Sequence, residues 1–466
     1  VHVEGLGDAR ESIDLVGTAS LAETLGRVKA GAATRGVDEW VLGRGWDQND
    51  WPGAQFPSAK DLDPASGGRP AAFRRIDGHA LWVNTRALER AGITSATADP
   101  PGGRIHKDAA GQPTGILIDR AMDLVSEKIP TPAREVRKRR LLGGLRASAE
   151  AGLTSVHDAG VDLDAVALYK ELLAEKALPI RVYVMLRGPV GLTASLRSLQ
   201  PETGLGDGML TVRAIKVSAD GALGSRGALL LEPYADEPGK KGLLTVDPAA
   251  YAELLKLAVE RGFQVNTHAI GDGANRFALD AYEQALAGRK DARFRIEHAQ
   301  VLAPSDVPRF EALGVIPSMQ PTHCTSDMYW ATDRLGPERA KGAYLWKTFL
   351  DQGVPIAGGS DAPVEKIDVV DGIYAAVTRQ DAKGWPEGGW HPEERVTPTQ
   401  ALEMFATHAA YAAFEEKDRG RIAPGFRADL SAFDLDPTTV PAARIKDMKV
   451  TATIVAGEVV HPAPVK

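Results

Sequence analysis

From about residue 141 the chain alternates short apolar, β-branched runs with longer stretches whose apolar residues recur every three to four positions. The short runs predict strands at 153–158 (LTSVHD), 180–186 (IRVYVML), 212–218 (VRAIKVS), 263–268 (FQVNTH), 293–298 (RFRIEH), 314–320 (GVIPSMQ) and 354–361 (VPIAGGSD). The longer stretches predict helices. AAYAELLKLAVERG, 249–262, closes on a glycine, and APSDVPRFEALG repeats the pattern with Ser305 or Asp306 as N-cap. Strands alternating with helices imply parallel β-α units. Seven strands are countable, and an eighth belongs just before His2. Eight such units close into a (β/α)8 TIM barrel, an α/β fold whose active site lies at the C-terminal ends of the strands.

Residues 36–140 break this pattern. They hold GRGWDQNDWPG, DPASGGRP, DGHALWVNT and DPPGGRIHKDAAGQPTG, rich in Gly, Pro, Asp and Trp. They are expected to form an insertion after the first strand, a lid over the barrel mouth. Trp46, Trp51 and Trp82 are costly to expose and suited to lining a pocket. The tail, 416–466, reads as short strands with tight turns (GRIAPGFRADLSAFDLD, then VTATIVAGEVVHP). Short strands need partners, so the tail is expected to complete a small composite β-sandwich with a segment upstream of Val1. The expected organisation is therefore 1–35 as the start of the barrel, 36–140 as the insertion, 141–415 as the rest of the barrel and 416–466 as the sandwich strands.

Composition narrows the classes. Of 466 residues, 44% are hydrophobic and 25% charged, which predicts a folded, soluble protein and not a disordered chain. Lys and Arg total 55 against 62 for Asp and Glu, so the net charge of -7 gives no global reason to expect nucleic acid. Cys324 is the single cysteine, which excludes an intrachain disulfide and a cysteine-held zinc. That suits the cytoplasm; export is the alternative if an upstream segment carries a signal peptide. No run of about 18 apolar residues predicts a membrane span. The expected partner is a small-molecule substrate, with a homodimer left open.

Candidate chemistry gathers at the predicted strand ends. AIKVS carries Lys216, VNTH ends at His268, RIEH at His298 and IAGGSD at Asp361, while VHV places His2 where a first strand would finish. Each has an ordinary reading: Lys216 as a snorkelling surface lysine, Asp361 as a helix cap, His268 as a hydrogen-bonded core residue. Together, at the rim of a barrel, they converge on one axis, and imidazole with carboxylate suits Zn, Mn, Fe or Co. An ammonium cannot ligate a cation, but a lysine whose pKa is lowered by burial can react with CO2 to give a carbamate that can. His408, on a predicted helix, is read as structural.

The stretches RIDGHALWVNTRAL, PTGILID, GLTSVHDAG, IKVSADGALGSRGALL, NTHAIGDGANRFALDAYE, FRIEHAQ, PSMQPTH, GGSDAPVE, TPTQALEMFATHAAYA and GRIAPGFRADL carry a resemblance to a known family. The chain resembles the amidohydrolase superfamily, and most of all amidohydrolase family 3, its YtcJ-like branch, over nearly its whole length. The resemblance implies metal ligands: His2 as the second His of a His-x-His pair, Lys216 as a bridging and CO2-modified lysine, then His268, His298 and Asp361. The first His and first strand are expected before Val1. One or two divalent ions are implied, zinc first among them. The implied activity is hydrolysis of an amide-type C–N bond, other than a peptide bond, by metal-activated hydroxide. Asp361 is expected to shuttle the proton and His323, at the end of PSMQPTH, to stabilise the oxyanion. N-substituted formamides are one candidate substrate. Trp46, His79, Trp82, Asp220, Arg226 and Trp330 are the expected substrate contacts. Two alternatives stand: deamination of an amino-heterocycle at the same site, or a metal-free barrel that acts as a binding or scaffold protein. A Ser360 nucleophile is disfavoured, because GGSDA lacks the closing glycine of the serine-hydrolase elbow.

Overall fold

The computed structural model describes residues 1–33, 36, 39–130, 132–189 and 191–462. A first, six-stranded sheet is built from β1 (Ile13–Asp14), β2 (Val41–Trp46), β3 (Ala71–Arg75), β4 (Ala80–Val83), β5 (Gly103–Lys107) and β6 (Pro113–Asp119), in the order β1-β2-β3-β4-β6-β5. Its first three strands are parallel and the rest antiparallel. This layer begins earlier than the composition shift at residue 36 implies. Ile13–Asp14 pairs with β2, and Val28 and Ala32 of the helix Leu21–Ala32 join the core of the same layer. Amphipathic spacing alone does not say which core a helix serves.

That core corrects one expectation. Trp46 and Trp82 are fully buried and Trp51 nearly so, with ring centroids 6.0–6.4 Å apart. Each indole N–H finds a backbone carbonyl: Trp46 on Phe73 (2.8 Å), Trp51 on Thr18 (3.1 Å) and Trp82 on Ser58 (2.8 Å). A buried Trp satisfies its one polar group in this way. Trp46 and Trp82 thus hold the layer together and do not line the main cavity.

The seven strands read from the second part of the chain all form. They are β7 (Ser155–Val161), β8 (Arg181–Arg187), β10 (Leu210–Ser218), β11 (Gln264–Ala269), β12 (Arg295–His298), β13 (Ile316–Met319) and β14 (Ala357–Gly358). They lie in sequence order in one parallel sheet, with the short β9 (Glu202–Gly204) antiparallel beside β10. Strands such as RVYVMLR read as continuous apolar runs because both faces are covered, one by helices and one by the interior. The helix Pro248–Arg261 shows the local logic: Asp247 caps its first turn by accepting from Ala250 N–H, and Gly262 ends it at φ +79°. Ala159, Tyr183, Met185 and Ala214 point inward and meet Ala413, which closes the floor.

The sheet is barrel-like, and the first residues join its two end strands. Ala159 N–H of β7 donates to Val1 O (2.8 Å), while His2 N–H donates to Ala362 O beyond β14 (2.7 Å). The tail forms an antiparallel sheet of β15 (Leu430–Phe433), β16 (Val450–Val455) and β17 (Glu458–His461). It is tied to the barrel by Thr453 Oγ1 on Ala149 O (2.7 Å) and by a bidentate Arg181–Asp429 pair (2.6 and 2.9 Å) that is almost wholly buried. A second sheet that would make this a sandwich is not among the described residues. Among them, too, no helix is long and apolar enough to cross a membrane.

Candidate active site

Strand alternation explains which side chains reach the barrel mouth. Lys216 lies on β10 and His268 on β11, and the register places Ser218 beside His268 and His268 beside Glu297. Residues 216, 218, 268 and 297 therefore share the inner face. His298 follows Glu297, so regular alternation would turn it outward. Its backbone instead adopts φ +77°, with Ala299 at +43°, and the imidazole comes back to 4.6 Å from the His268 ring. Asp361 is also left-handed, at φ +54°. Three non-glycine residues held at positive φ at one site mark positions that the surrounding packing over-determines.

His2, Lys216, His268, His298, His323 and Asp361 all line one cavity of about 1540 Å³, larger than the roughly 300–1,000 Å³ usual for small-molecule sites. Their hydrogen bonds fix which atoms face it. Gln320 Nε2 donates to Ser318 O (3.1 Å), so its Oε1 is the atom 2.8 Å from His298 Nδ1. That oxygen only accepts, so Nδ1 carries the proton and Nε2 presents a lone pair. His2 is anchored the same way: Nδ1 donates to Ala159 O (2.9 Å), and Nε2 faces Asp361 Oδ1 at 3.2 Å. Two acceptors at that separation attract only when a proton or a cation lies between them. His323 stacks on His298 at 5.5 Å, and its Nε2 is buried without a partner among the described residues.

The electrostatics point the same way. Burial holds His268 well below the ordinary imidazole value and His298 at about 3, so both are neutral donors. Burial also lowers the Lys216 ammonium, against the pull of Asp361, Glu297 and Asp220. Lys216 Nζ has no hydrogen-bond acceptor among the described residues. Burial opposes the Asp361 charge, but the hydrogen bond and charge of His2, with His298 nearby, outweigh it and keep the carboxyl well below its usual range. The donor set fits a divalent cation in type: the neutral imidazoles of His268 and His298, the imidazole of His2, a carboxylate and an unpaired amine. It is not closed into a coordination shell, since among the described residues no three His, Cys, Asp or Glu side chains form a metal-holding group.

The expected substrate contacts divide. His79 lines the cavity with its ring 5.0 Å from that of His268, and Trp330 lines it too. Burial disfavours a charged His79, yet the hydrogen bond from Nδ1 to Asp119 (2.7 Å) and that carboxylate's charge raise its pKa. Asp220 does not line that cavity. It is fully buried, raised to about 7 by burial, and accepts the N–H groups of Leu229, Ile270 and Gly271 at 2.8–3.0 Å. It braces the turn after His268, 3.5 Å from that imidazole. Arg226 pairs with Asp236 and opens on a second, smaller cavity. His157 accepts from Arg295 Nη1 (2.9 Å) inside the barrel, in a supporting position.

Sequence reasoning missed Gln320, Asp119 and Asp158. Asp158 accepts from Val3 N–H (2.8 Å) and from the Tyr169 hydroxyl (2.6 Å), which fixes the start of the chain beside the cavity. Asp119 and Gln320 stand at strand ends and Asp158 inside β7, all in stretches already singled out, and that was the available signal.

Comparison with known proteins agrees with this geometry. The sequence profile of the amidohydrolase family matches residues 1–461. The chain belongs to the amidohydrolase family. It is 33% identical to YtcJ of Bacillus subtilis (strain 168), an amidohydrolase by name, over 99% of this chain and 87% of that protein. It is 26% identical to the N-substituted formamide deformylase of Arthrobacter pascens, over 90% of this chain and 78% of the other. Among solved structures it resembles an uncharacterized metal-dependent hydrolase from Pyrococcus horikoshii OT3, with a TM-score of 0.75 and 27% identity, covering 95% of this chain and 85% of that one.

Proposed function

We propose that this amidohydrolase is a metal-dependent hydrolase that cleaves an amide-type C–N bond of a small molecule. The observation that carries the reading is the convergence of His2, Lys216, His268, His298 and Asp361 on one cavity, with His2 and His298 each anchored through Nδ1 and His2 Nε2 turned to Asp361. These five residues would hold one or two divalent ions, zinc first among them, with Lys216 as a carbamate able to bridge two. When bound, such an ion makes water a competent nucleophile at neutral pH and polarises the scissile carbonyl.

The chain's own groups do the rest. Asp361 takes the proton released on attack and returns it to the leaving nitrogen. His323, with a buried Nε2 that has no partner among the described residues, donates to the developing oxyanion. His79, oriented by Asp119, contacts the substrate from the first sheet, which covers the barrel mouth as a lid. Gln320 and the Ala159 carbonyl keep the two imidazoles in the tautomer that ligation needs. The relative that deformylates N-substituted formamides makes an N-aryl formamide the first substrate to try. The test is a panel of N-aryl formamides, N-acyl amino acids and cyclic amides on zinc-loaded protein. Turnover of at least one, abolished by Asp361→Asn, is expected; zero turnover throughout would contradict the reading.

A further inference from the structure

Arg44 and Arg74 are Cα partners on the parallel strands β2 and β3, which sets them side by side on one face at about 4.8 Å strand spacing. Arg187 ends β8, and its Cα partner is the candidate ligand Lys216. All three line the cavity that holds the candidate ligands. Each is fixed by one backbone carbonyl: Arg44 Nη2 on Ile76 O (3.1 Å), Arg74 Nη1 on Gly78 O (3.2 Å) and Arg187 Nε on Gly160 O (3.0 Å). A guanidinium carries five donors, so most of each fork is unspent.

None of the three has a carboxylate in ion-pair contact among the described residues. That sets them apart from the other arginines of this cavity. Arg75 is clamped by Asp47 and Asp77, Arg137 by Glu4 and Asp162, and Arg140 by Asp8 and Glu11. Asp14, next to Arg44 in the same row, accepts Val16 N–H at Oδ1 (3.0 Å) and acts on Arg44 through its charge without an ion-pair contact. Desolvation in the cavity and the charge of Arg187 depress the Arg74 guanidinium, with Asp123, Asp8 and Asp77 acting against them. Anchored, adjacent and unneutralised guanidiniums are a preformed fork array for an oxyanion.

We propose that Arg44, Arg74 and Arg187 form an anion subsite that takes a carboxylate or phosphate group of the substrate; as a statement about substrate it rests on the hydrolase reading above. The experiment titrates the protein calorimetrically with inorganic phosphate and, separately, with glutarate. It compares wild type, chelator-treated wild type, Arg74→Met/Arg187→Met and Arg74→Lys/Arg187→Lys, with metal content measured on each sample. At least one ion should bind wild type with or without chelator, and at least tenfold more weakly in the Met variant. The tighter ion identifies the substrate's anionic group. The Lys variant keeps both charges but loses the forks, and covers a Met variant that does not fold; binding several-fold weaker than wild type is expected. No binding of either ion to wild type, unchanged binding in either variant, or binding that disappears with the metal would overturn the subsite. If metal and turnover are absent while the Met variant still loses anion binding, the hydrolase reading fails and the subsite stands.

Discussion

Gln320→Leu tests whether the imidazole anchoring serves a metal. Gln320 is 7% exposed and holds His298 Nδ1 at 2.8 Å while its own Nε2 is held by Ser318 O. Leucine keeps most of the volume and removes both bonds. Loss of a partner that orients a ligating imidazole weakens metal affinity by about 10–100-fold, or about 1.4–2.8 kcal/mol. The protein without metal also suffers, because His298 Nδ1–H is left buried and unpaired, at about 1–3 kcal/mol. The two effects are separable. Zinc affinity, measured by competition with a chromogenic chelator, reports the first; urea unfolding of chelator-treated protein reports the second. The account expects both to fall, with Gln320→Glu recovering affinity because its carboxylate still accepts from Nδ1. A Leu variant that loses stability but binds zinc within threefold of wild type would refute the tautomer argument and leave Gln320 a packing residue.

Further outcomes follow from the same geometry. Asp429→Ala leaves the buried Arg181 guanidinium without its carboxylate, so unfolding free energy should drop by about 3–5 kcal/mol with turnover per folded molecule unchanged; a loss under about 1 kcal/mol contradicts the docking role of that pair. Trp82→Phe should cost about 1–3 kcal/mol for the lost bond to Ser58 O and leave KM unchanged, whereas a raised KM at unchanged stability would return Trp82 to the pocket wall. Burial holds His298 at about 3 against an ordinary 6.5, so below pH 6.5 the unfolded chain binds a proton that the native one refuses. Stability of the metal-free protein should therefore fall as pH drops from 6.5 toward 3, by up to about 1.4 kcal/mol per pH unit from this group. His298→Gln should flatten that limb in urea titrations between pH 7 and 4, and an unchanged slope counts against a buried neutral His298.

The barrel was legible because its strands are buried on both faces, so runs such as IRVYVML and VRAIKVS stand out from the helices between them. The candidate ligands were legible because a barrel sends its strand ends to one place. The tryptophans misled, since a pocket wall and a core both take large apolar rings. Only the tertiary structure shows that three backbone carbonyls absorb their N–H groups. The pairs that set tautomers were out of reach, because Gln320 lies 22 residues from His298 and Asp119 lies 40 from His79, with no periodicity linking them. Asp306 illustrates a smaller miss. It stands at the N-cap position expected for it, yet its carboxylate goes to Arg276 and Arg309 and makes no cap bond. The inward turn of His298 depends on a left-handed backbone that residue identity does not announce.

The central claim is a metal centre built from strand-end donors. Elemental mass spectrometry on the purified protein, beside a His268→Ala/His298→Ala variant, tests it most directly. One to two equivalents of Zn, Mn, Fe or Co per chain are expected in wild type, by analogy with mono- and dinuclear hydrolytic sites, and their loss in the variant. No bound metal after incubation with zinc and bicarbonate, or equal metal in both proteins, would contradict it.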